Sequence, residues 1–497
     1  MNTSPLYKDF VRLQNSYSHV PVSAEIPGDT DTPVSLYLKI RDISPYSFLL
    51  ESALQTDASG RYSIIGFSPE KVLRYRGNKL KIIENGKDIC TEESLFDYVR
   101  SLLSRYNLPV PENGLPVSGG LFGAFAYDSI RLIEEIPDSH QNNFDTDDCT
   151  LMLVETLIIF DHFKHTITIS SLAPKGDFPE IEYEKATAKI RNIIDTLRSP
   201  KPLPQLNIKD ADEKIEIIPE ITRDEFKNIV QKAKEHITAG DIFQIVLSQR
   251  FCISVNTDSF NIYRVLRSLN PSPYMFYLSL EDEVIAGSSP EVLVKLQNNI
   301  VTTRPLAGTR PRGETPFEDK EIEEELLSDE KERAEHIMLV DLGRNDLGRF
   351  CKFGSISLPE FFGIERYSHV MHVVSEVAGF LDEEKDAVDV FCGSFPAGTV
   401  SGAPKIRAME LIDEFETSRR GIYAGAVGYF DFHNNLDTCI TIRTLFIKDN
   451  TAYIQAGAGI VADSDPENEY RETINKAAAL IKAVAIAEGK RYDPDNR

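Results

Sequence analysis

From Phe395 the chain reads FPAGTVSGAPKIRAME, then GIYAGAVGYF from Gly421, DTCITIRT from Asp437 and QAGAGIVADSDPENEYRET from Gln455. Glycines let backbone N–H groups approach a ligand without side-chain obstruction. An arginine supplies a guanidinium fork for a carboxylate, and helical carboxylates supply hard oxygen ligands. These are the parts needed to hold a small dianion beside a divalent metal.

Glu332 and Glu335 lie three apart in a helical stretch and share a face, as do Glu469 and Glu472 near the C-terminus. Acidic pairs on helices are usually solvated surface. Here HIMLVDLG follows Glu335 and INKAAALI follows Glu472, so both carboxylates stand where a helix enters the core. Carboxylates from two elements suit an octahedral Mg²⁺ that keeps waters and leaves room for a substrate carboxylate. Arg443 is expected within the strand TCITIRT, with Cys439, Thr441 and Arg443 on one face and Ile440 and Ile442 on the other. If buried it needs an anion, either a protein carboxylate or a ligand. Gly457, Ala458 and Gly459 on the next strand mark a close approach of backbone or ligand. His372, in YSHVMHVVSEV, is either a base or a buried structural histidine. GTVSGAPK at Gly398–Lys405 lacks the Gly-Lys-Ser/Thr of a nucleotide phosphate loop; Ser401 capping a helix from about Pro404 is the structural alternative.

The elements that must position these residues can be read from periodicity. Residues 1–198 form one expected unit, with β-rich runs at Val34–Ile40, Tyr46–Glu51, Val72–Tyr75, Leu80–Ile83, Leu151–Phe160 and Thr166–Ser171 and helices at Leu95–Tyr106 and Tyr183–Leu197. Ser199–Thr222 is a Pro- and charge-rich linker, and 223–497 is the second unit. Thr222 and Glu225 have capping-box spacing before a helix that stops at Gly240. Strands follow at Gln244–Phe251, Tyr274–Leu280, Val284–Ala286, Val292–Leu296 and Ile300–Thr303, then an acidic helical region over Glu314–Glu335. A meander over Ile422–Phe432, Thr438–Ile447 and Ala452–Val461 precedes a last helix opened by a Ser464–Glu467 capping box. Antiparallel strands mixed with long helices indicate an α+β fold.

A chain of 497 residues with 41% hydrophobic content can bury a large core. Its net charge of −24 and lack of a basic run argue against nucleic acid or an anionic membrane as partner. Six scattered cysteines without a CxxC pair suit reduced thiols in the cytoplasm, and neither an apolar leader nor an apolar run long enough to span a bilayer is expected.

Read together, LLES at Leu49–Ser52, GDIFQIVLSQRF at Gly240–Phe251, NPSPYMFYL at Asn270–Leu278, GSSPE at Gly287–Glu291, RPLAGTRPRG at Arg304–Gly313, DEKERAEHIMLVDLGRNDLGR at Asp329–Arg349 and the C-terminal motifs resemble the chorismate-utilising enzymes, and among them the anthranilate synthase component I family. The resemblance covers nearly the whole chain. It implies two large, mostly antiparallel β-sheets in a sandwich flanked by helices, with a chorismate-binding catalytic part after an N-terminal regulatory part. It also implies amination of chorismate at ring carbon 2 by ammonia from a glutamine amidotransferase subunit, then loss of pyruvate. Glu335 and Glu472 would hold Mg²⁺, with Glu332 in support. Arg443 and Tyr423 would hold the enolpyruvyl carboxylate; Gly308, Thr309 and Gly457 to Gly459 would line the site. Glu291 would be the acid and His372 the base of the second half. Ser52, Pro273, Tyr274 and Met275 would contact tryptophan as feedback inhibitor. Where isochorismate and salicylate synthases carry a water-activating lysine this chain has Gln244, and where aminodeoxychorismate synthases have PIKGT it has PLAGT, with Ala307. Aminodeoxychorismate synthase and a non-catalytic tryptophan or chorismate sensor are the alternatives.

Overall fold

The computed structural model describes residues 2–53, 60–110, 114–140, 142, 144–206, 212–366 and 370–493. Residues 207–211 of the expected linker lie outside them. Two 12-stranded sheets dominate. The centre of the first is formed, in spatial order, by strands Tyr62–Phe67, Tyr46–Glu51, Tyr274–Leu280, Glu283–Ser289, Thr444–Lys448, Thr451–Ile460 and Gln244–Ser254. The second runs Leu306–Pro311, Val370–Phe380, Ile300–Thr303, Val292–Gln297, Leu436–Ile440, Ala426–Asp431, Gly120–Phe125, Cys149–Val154 and Lys71–Arg76 through its centre. Both sheets therefore take strands from either side of residues 199–222. Alternating apolar residues of the two inner faces make one core: Phe48, Ile64, Phe276 and Ile285 from the first sheet meet Val72, Phe122, Met152 and Val427 from the second. Phe48 stacks on Phe122 with ring centroids 4.5 Å apart.

Helices cover the outer faces. Ile190, Ile193 and Leu197 of Pro179–Arg198 pack with Val20, Ile158 and Ile169, and Ala477, Leu480, Ile481 and Val484 of Pro466–Ala487 pack with Leu445 and Ile454. Among the described residues no helix is long and apolar enough to cross a membrane.

Two antiparallel ribbons pass from one sheet to the other. Tyr62–Phe67 continues into Lys71–Arg76 beside Cys149–Val154 and Thr156–Asp161. Glu283–Ser289 continues into Val292–Gln297 beside Leu436–Ile440 and Thr444–Lys448. The expected strand over Leu151–Phe160 is thus two strands in different sheets, broken at Glu155.

Four other local expectations need correction. Val34–Ile40 is helical (Pro33–Ile40), because Thr32 forms a reciprocal capping box with Ser35 and Pro33 occupies the first turn, outweighing the β-branched residues. Asp465, not Ser464, caps the last helix, since the cap must directly precede Pro466; Ser464 Oγ instead accepts from Val461 N at 3.1 Å. Ser401 caps nothing: Lys405–Phe415 starts after Pro404, and the Ser401 hydroxyl donates to the Ala397 carbonyl at 2.8 Å. The strand expected from Ile422 begins at Ala426, because the preceding residues turn, with Ala424 at φ +63°. The Thr222–Glu225 capping box is present as expected.

A buried ion pair ties three of these segments together. Arg420 donates to both oxygens of Glu416 at 2.6 and 2.8 Å, to the Val400 carbonyl and to the Val246 carbonyl, both at 2.7 Å. Glu416 in turn accepts from Ser248 N and Oγ. Removing one partner strands a buried charge, so Glu416→Ala should cost about 3–5 kcal/mol. Glu416→Gln, which keeps acceptor and volume, should lower the denaturation temperature less when the two are compared by scanning calorimetry.

Candidate functional site

The second ribbon carries two of the expected site residues at its crossing. Pro290 and Glu291 link Glu283–Ser289 in the first sheet to Val292–Gln297 in the second; Thr441 to Arg443 link the partner strands. The two links are stitched side by side. Ile440 N donates to the Glu291 carbonyl at 3.0 Å, Ser288 N to the Arg443 carbonyl at 3.1 Å, and the Ser289 hydroxyl to the Ile440 carbonyl at 2.6 Å. Arg443 is therefore not within a regular strand as the alternation suggested. It has φ +51°, a conformation that turns its side chain off the pleat.

Arg443 makes no ion pair among the described residues; its Nη1 donates to the Lys476 carbonyl. Burial lowers its pKa, partly offset by Tyr423 and Glu472. A buried cation satisfied by a neutral carbonyl is costly and is completed by an anion. Of the two partners left open by sequence, no protein carboxylate forms an ion pair with it among the described residues, although Glu472 is felt at longer range.

Tyr423 and the glycines close around it. Strand Thr451–Ile460 pairs with Gln244–Ser254, setting Gly457 opposite Ser248, Ala458 opposite Leu247 and Gly459 opposite Val246. A Cβ on Gly457 would come within 2.6 Å of Tyr423 Oη and 2.8 Å of the Leu247 carbonyl. A Cβ on Gly459 would come within 2.7 Å of Gln244 Nε2. Burial pushes the Tyr423 hydroxyl up to about 12, so it remains a neutral donor.

Glu291 has the environment of a general acid. Desolvation pushes its carboxyl up to about 7, with the Thr399 hydroxyl and the Lys476 ammonium pulling the other way. His372 sits on Val370–Phe380 opposite Thr309. Its Nδ1 lies 3.1 Å from both the Gly308 carbonyl and the Thr309 hydroxyl. A carbonyl only accepts, so Nδ1 carries the proton and Nε2 is the basic nitrogen. Burial lowers the His372 pKa, and Arg443 adds to the effect.

Glu335 on helix Glu330–Leu347 and Glu472 on helix Pro466–Ala487 come together, although the helices are distant in sequence. Desolvation, then Glu332 and Glu472, raise the Glu335 pKa; Glu469 is raised likewise by burial and by Glu472. Like charges held this close are what a divalent cation relieves, so the donor set fits Mg²⁺. Glu332 accepts from Arg310 at 3.1 Å and is already partly neutralised. Among the described residues no group of three His, Cys, Asp or Glu forms a ready-made cage.

Ser52, Pro273, Tyr274 and Met275 also converge, at a separate place. Strand Tyr46–Glu51 pairs with Tyr274–Leu280, Glu51 opposite Met275, and Ala53 N donates to the Ser272 carbonyl at 3.0 Å. The Tyr274 hydroxyl donates to Asp437 at 2.9 Å. Glu51 beneath is held by both Arg267 nitrogens at 3.0 Å and by the Tyr263 hydroxyl at 2.7 Å.

A family model described as chorismate binding enzyme matches residues 82–482. The chain belongs to the chorismate-binding enzyme family. It is 46% identical over 494 residues to anthranilate synthase component 1 of Aquifex aeolicus, covering 98% of this chain and 99% of that protein. To the protein of the same name from Pseudomonas putida it is 44% identical, covering 97% and 98%. The crystal structure of anthranilate synthase component I from Streptococcus pneumoniae superposes with a TM-score of 0.77 at 38% identity, over 87% of this chain and 94% of that one. The menaquinone-specific isochorismate synthase of Escherichia coli, at 19% identity and a TM-score of 0.70 over 96% and 98%, shares the fold.

Two residues beside these groups escaped the sequence reading. Lys476 Nζ lies 2.6 Å from Glu472 and donates to the Gly457 carbonyl at 3.0 Å, and its charge is felt by Glu291 and Glu335. Its spacing of four from Glu472 was the available signal. Thr399, beside Glu291, lay in a motif weighed as a phosphate loop or a Ser401 helix cap, with no role given to its hydroxyl. The glycine geometry makes a sharp prediction. Gly457→Ala forces its methyl onto Tyr423 Oη and backbone and should weaken chorismate binding at least about tenfold (~1.4 kcal/mol). Gly459→Ala meets only the end of a glutamine side chain and should lose less; titration calorimetry with chorismate compares them.

Proposed function

We propose that this protein makes anthranilate from chorismate, as the aminating subunit of a two-component enzyme. What carries the reading is the partly buried Arg443 guanidinium, without an ion-pair partner among the described residues, within electrostatic reach of Glu472 and His372, on the same crossing as an acid whose carboxyl is pushed up to about 7.

Arg443 and Tyr423 take the enolpyruvyl carboxylate, the arginine as the charge partner and the neutral phenol as a donor. Gly457 to Gly459 let the substrate lie against the strand, and Gly308 and Thr309 line the His372 side. Glu335 and Glu472 would hold Mg²⁺. When bound, that ion ties down the ring carboxylate and offsets charge during attack. Ammonia adds at ring carbon 2 while Glu291 gives its proton to the ring hydroxyl, which leaves as water. His372 Nε2 then takes the proton from the aminated carbon, the ring C–O bond breaks, a proton returned to the enolpyruvyl methylene makes the leaving group pyruvate, and aromatisation drives the step. Gln244, an amide packed on Gly459, offers no base for water, and Ala307 offers no amine for a covalent intermediate.

Ammonia comes from a glutamine amidotransferase partner. The relatives' name, component 1, implies a second component. Burial pushes Cys351 and Cys392 up to about 11 and 12, which keeps them as thiols unsuited to glutaminase chemistry. Free thiols suit the cytoplasm. The first 198 residues serve regulation and residues 223–497 catalysis. Tryptophan binds at Ser52, Pro273, Tyr274 and Met275 as inhibitor.

Purified protein with chorismate, an ammonium salt and Mg²⁺ should generate anthranilate fluorescence; a para-aminobenzoate precursor as product would refute the reading. Glu291 works protonated, so kcat should fall as pH rises through about 7. His372 works neutral, and its lowered pKa keeps it so at neutral pH, which puts the acid limb below its ordinary 6.5. Glu291→Gln should erase the alkaline limb and cut kcat by about 10²- to 10⁴-fold. Ser52→Phe should abolish inhibition by added tryptophan while turnover persists; unchanged inhibition would place the regulatory site elsewhere.

A further inference from the structure

Glu291 lines a cavity of about 460 Å³, part of it open to solvent, that runs between helix Glu330–Leu347 and the segment from Ser394 to Thr399. Its wall is mostly apolar: Leu293, Pro305, Leu339, Leu342, Leu347 and Ile440. Two polar atoms on it are buried without a hydrogen-bond partner among the described residues, Ser394 Oγ and Arg304 Nε, and the Thr399 hydroxyl lies against Glu291. Buried polar atoms in native proteins are nearly always satisfied, and where protein does not satisfy them, water does. At about 30 Å³ per molecule, the space accommodates a short file of waters. Glu291 and Asp346 both line it. Asp346 accepts from Lys405 Nζ at 3.0 Å, and Lys405 also reaches the Ser394 carbonyl at 3.4 Å.

We propose that this cavity carries the proton that recharges Glu291, with the Asp346–Lys405 pair as its donor end and the Ser394 and Thr399 hydroxyls as its relay wall. The inference rests on Glu291 acting as the general acid. In each turnover Glu291 loses one proton to the departing hydroxyl and its carboxylate must regain one before the next substrate reacts. The adjacent water gives that proton and accepts another from its neighbour, so the file is unchanged. Lys405, through Asp346, gives up one N–H proton and becomes an amine, and solvent returns it. The nitrogen added to the ring releases one proton to solvent, so the cycle consumes none. Burial favours this exchange: it lowers the pKa of Lys405 and raises that of Asp346, moving the pair toward its neutral form. The charged groups facing the pair are Arg349 and Glu134, which are 3.5 Å apart at the solvent side; the one facing Glu291 is Lys476.

The test uses the full chain with chorismate, ammonium and Mg²⁺. Lys405→Arg keeps the ion pair but installs a guanidinium that does not release its proton. Asp346→Leu/Lys405→Met replaces the pair by apolar groups, a change buried pairs often tolerate. Ser394→Ala removes one wall hydroxyl. Each should lower kcat, the first two by about 10- to 100-fold, within the general acid's whole contribution of about 10²–10⁴. KM for chorismate should hold, the solvent deuterium isotope effect should grow, and imidazolium buffer should restore rate in proportion to its concentration. Wild-type kcat in the folded variants, or a lower kcat with neither isotope nor buffer dependence, overturns the relay. Absence of anthranilate from the wild-type protein overturns the underlying functional reading instead.

Discussion

The site depends on one constraint: two adjacent strands leave one sheet and enter the other at the same level. A strand inside a sheet alternates its side chains between two faces and satisfies its backbone with two neighbours. At a crossing both regularities lapse. Glu291 and the Thr441–Arg443 segment are freed from the ladder there, yet held to each other by the Ile440 N to Glu291 carbonyl and Ser288 N to Arg443 carbonyl bonds. A left-handed arginine is strained backbone, and it persists because neighbours on both sheets over-determine it. Glu291 and Arg443 are thereby placed on two links stitched together between the sheets, and a site built on regular elements can hold a tolerance of a fraction of an ångström.

Charge at the crossing is balanced only as a set. Arg443 has a carbonyl where it would prefer an anion; Glu335 has Glu332 and Glu472 beside it and Glu469 has Glu472, with Lys331 and Lys476 only partly offsetting them. Lys476 lies between the two halves, on Glu472 and on the Gly457 carbonyl. A ligand bearing two carboxylates, one with a divalent ion, resolves both mismatches at once. Either charge alone would leave the other buried and unpaired, which is a physical basis for requiring both carboxylates of the substrate. The same low-polarity surroundings that make Arg443 costly hold Glu291 protonated, so binding and acidity arise from one cause.

Much of this was legible in the sequence. Helices with caps and strands with alternation, such as Arg223–Ala239 and Tyr274–Leu280, fall where periodicity puts them. Carboxylates at helix entries pointed to Glu335 and Glu472, which the structure brings within electrostatic reach of each other, and Gly457 and Gly459 marked a close approach that the Tyr423 and Gln244 contacts bear out. The crossings were not legible. DTCITIRTLFIK reads as one strand, since nothing in local pattern distinguishes a strand that continues from one that changes sheets, and the same holds at Glu155. Lys476 was hidden for another reason: a lysine on a polar helix position looks solvated until a second element, here the Gly457 carbonyl, is brought against it.

The geometry also brings regulation close to chemistry. Tyr274 is the register partner of Ser289, and Met275 is paired with Ser288 on one side and Glu51 on the other. Ser289 bonds to Ile440 through its hydroxyl and precedes Glu291 by two residues. A ligand wedged among Ser52, Tyr274 and Met275 therefore bears on the strand that delivers the acid, with no long pathway between them. On the outer side, Arg267 and Tyr263 hold Glu51. Coupling between the two places then reduces to whether the crossing has a second arrangement that the inhibitor favours, which is the physical content of an allosteric equilibrium.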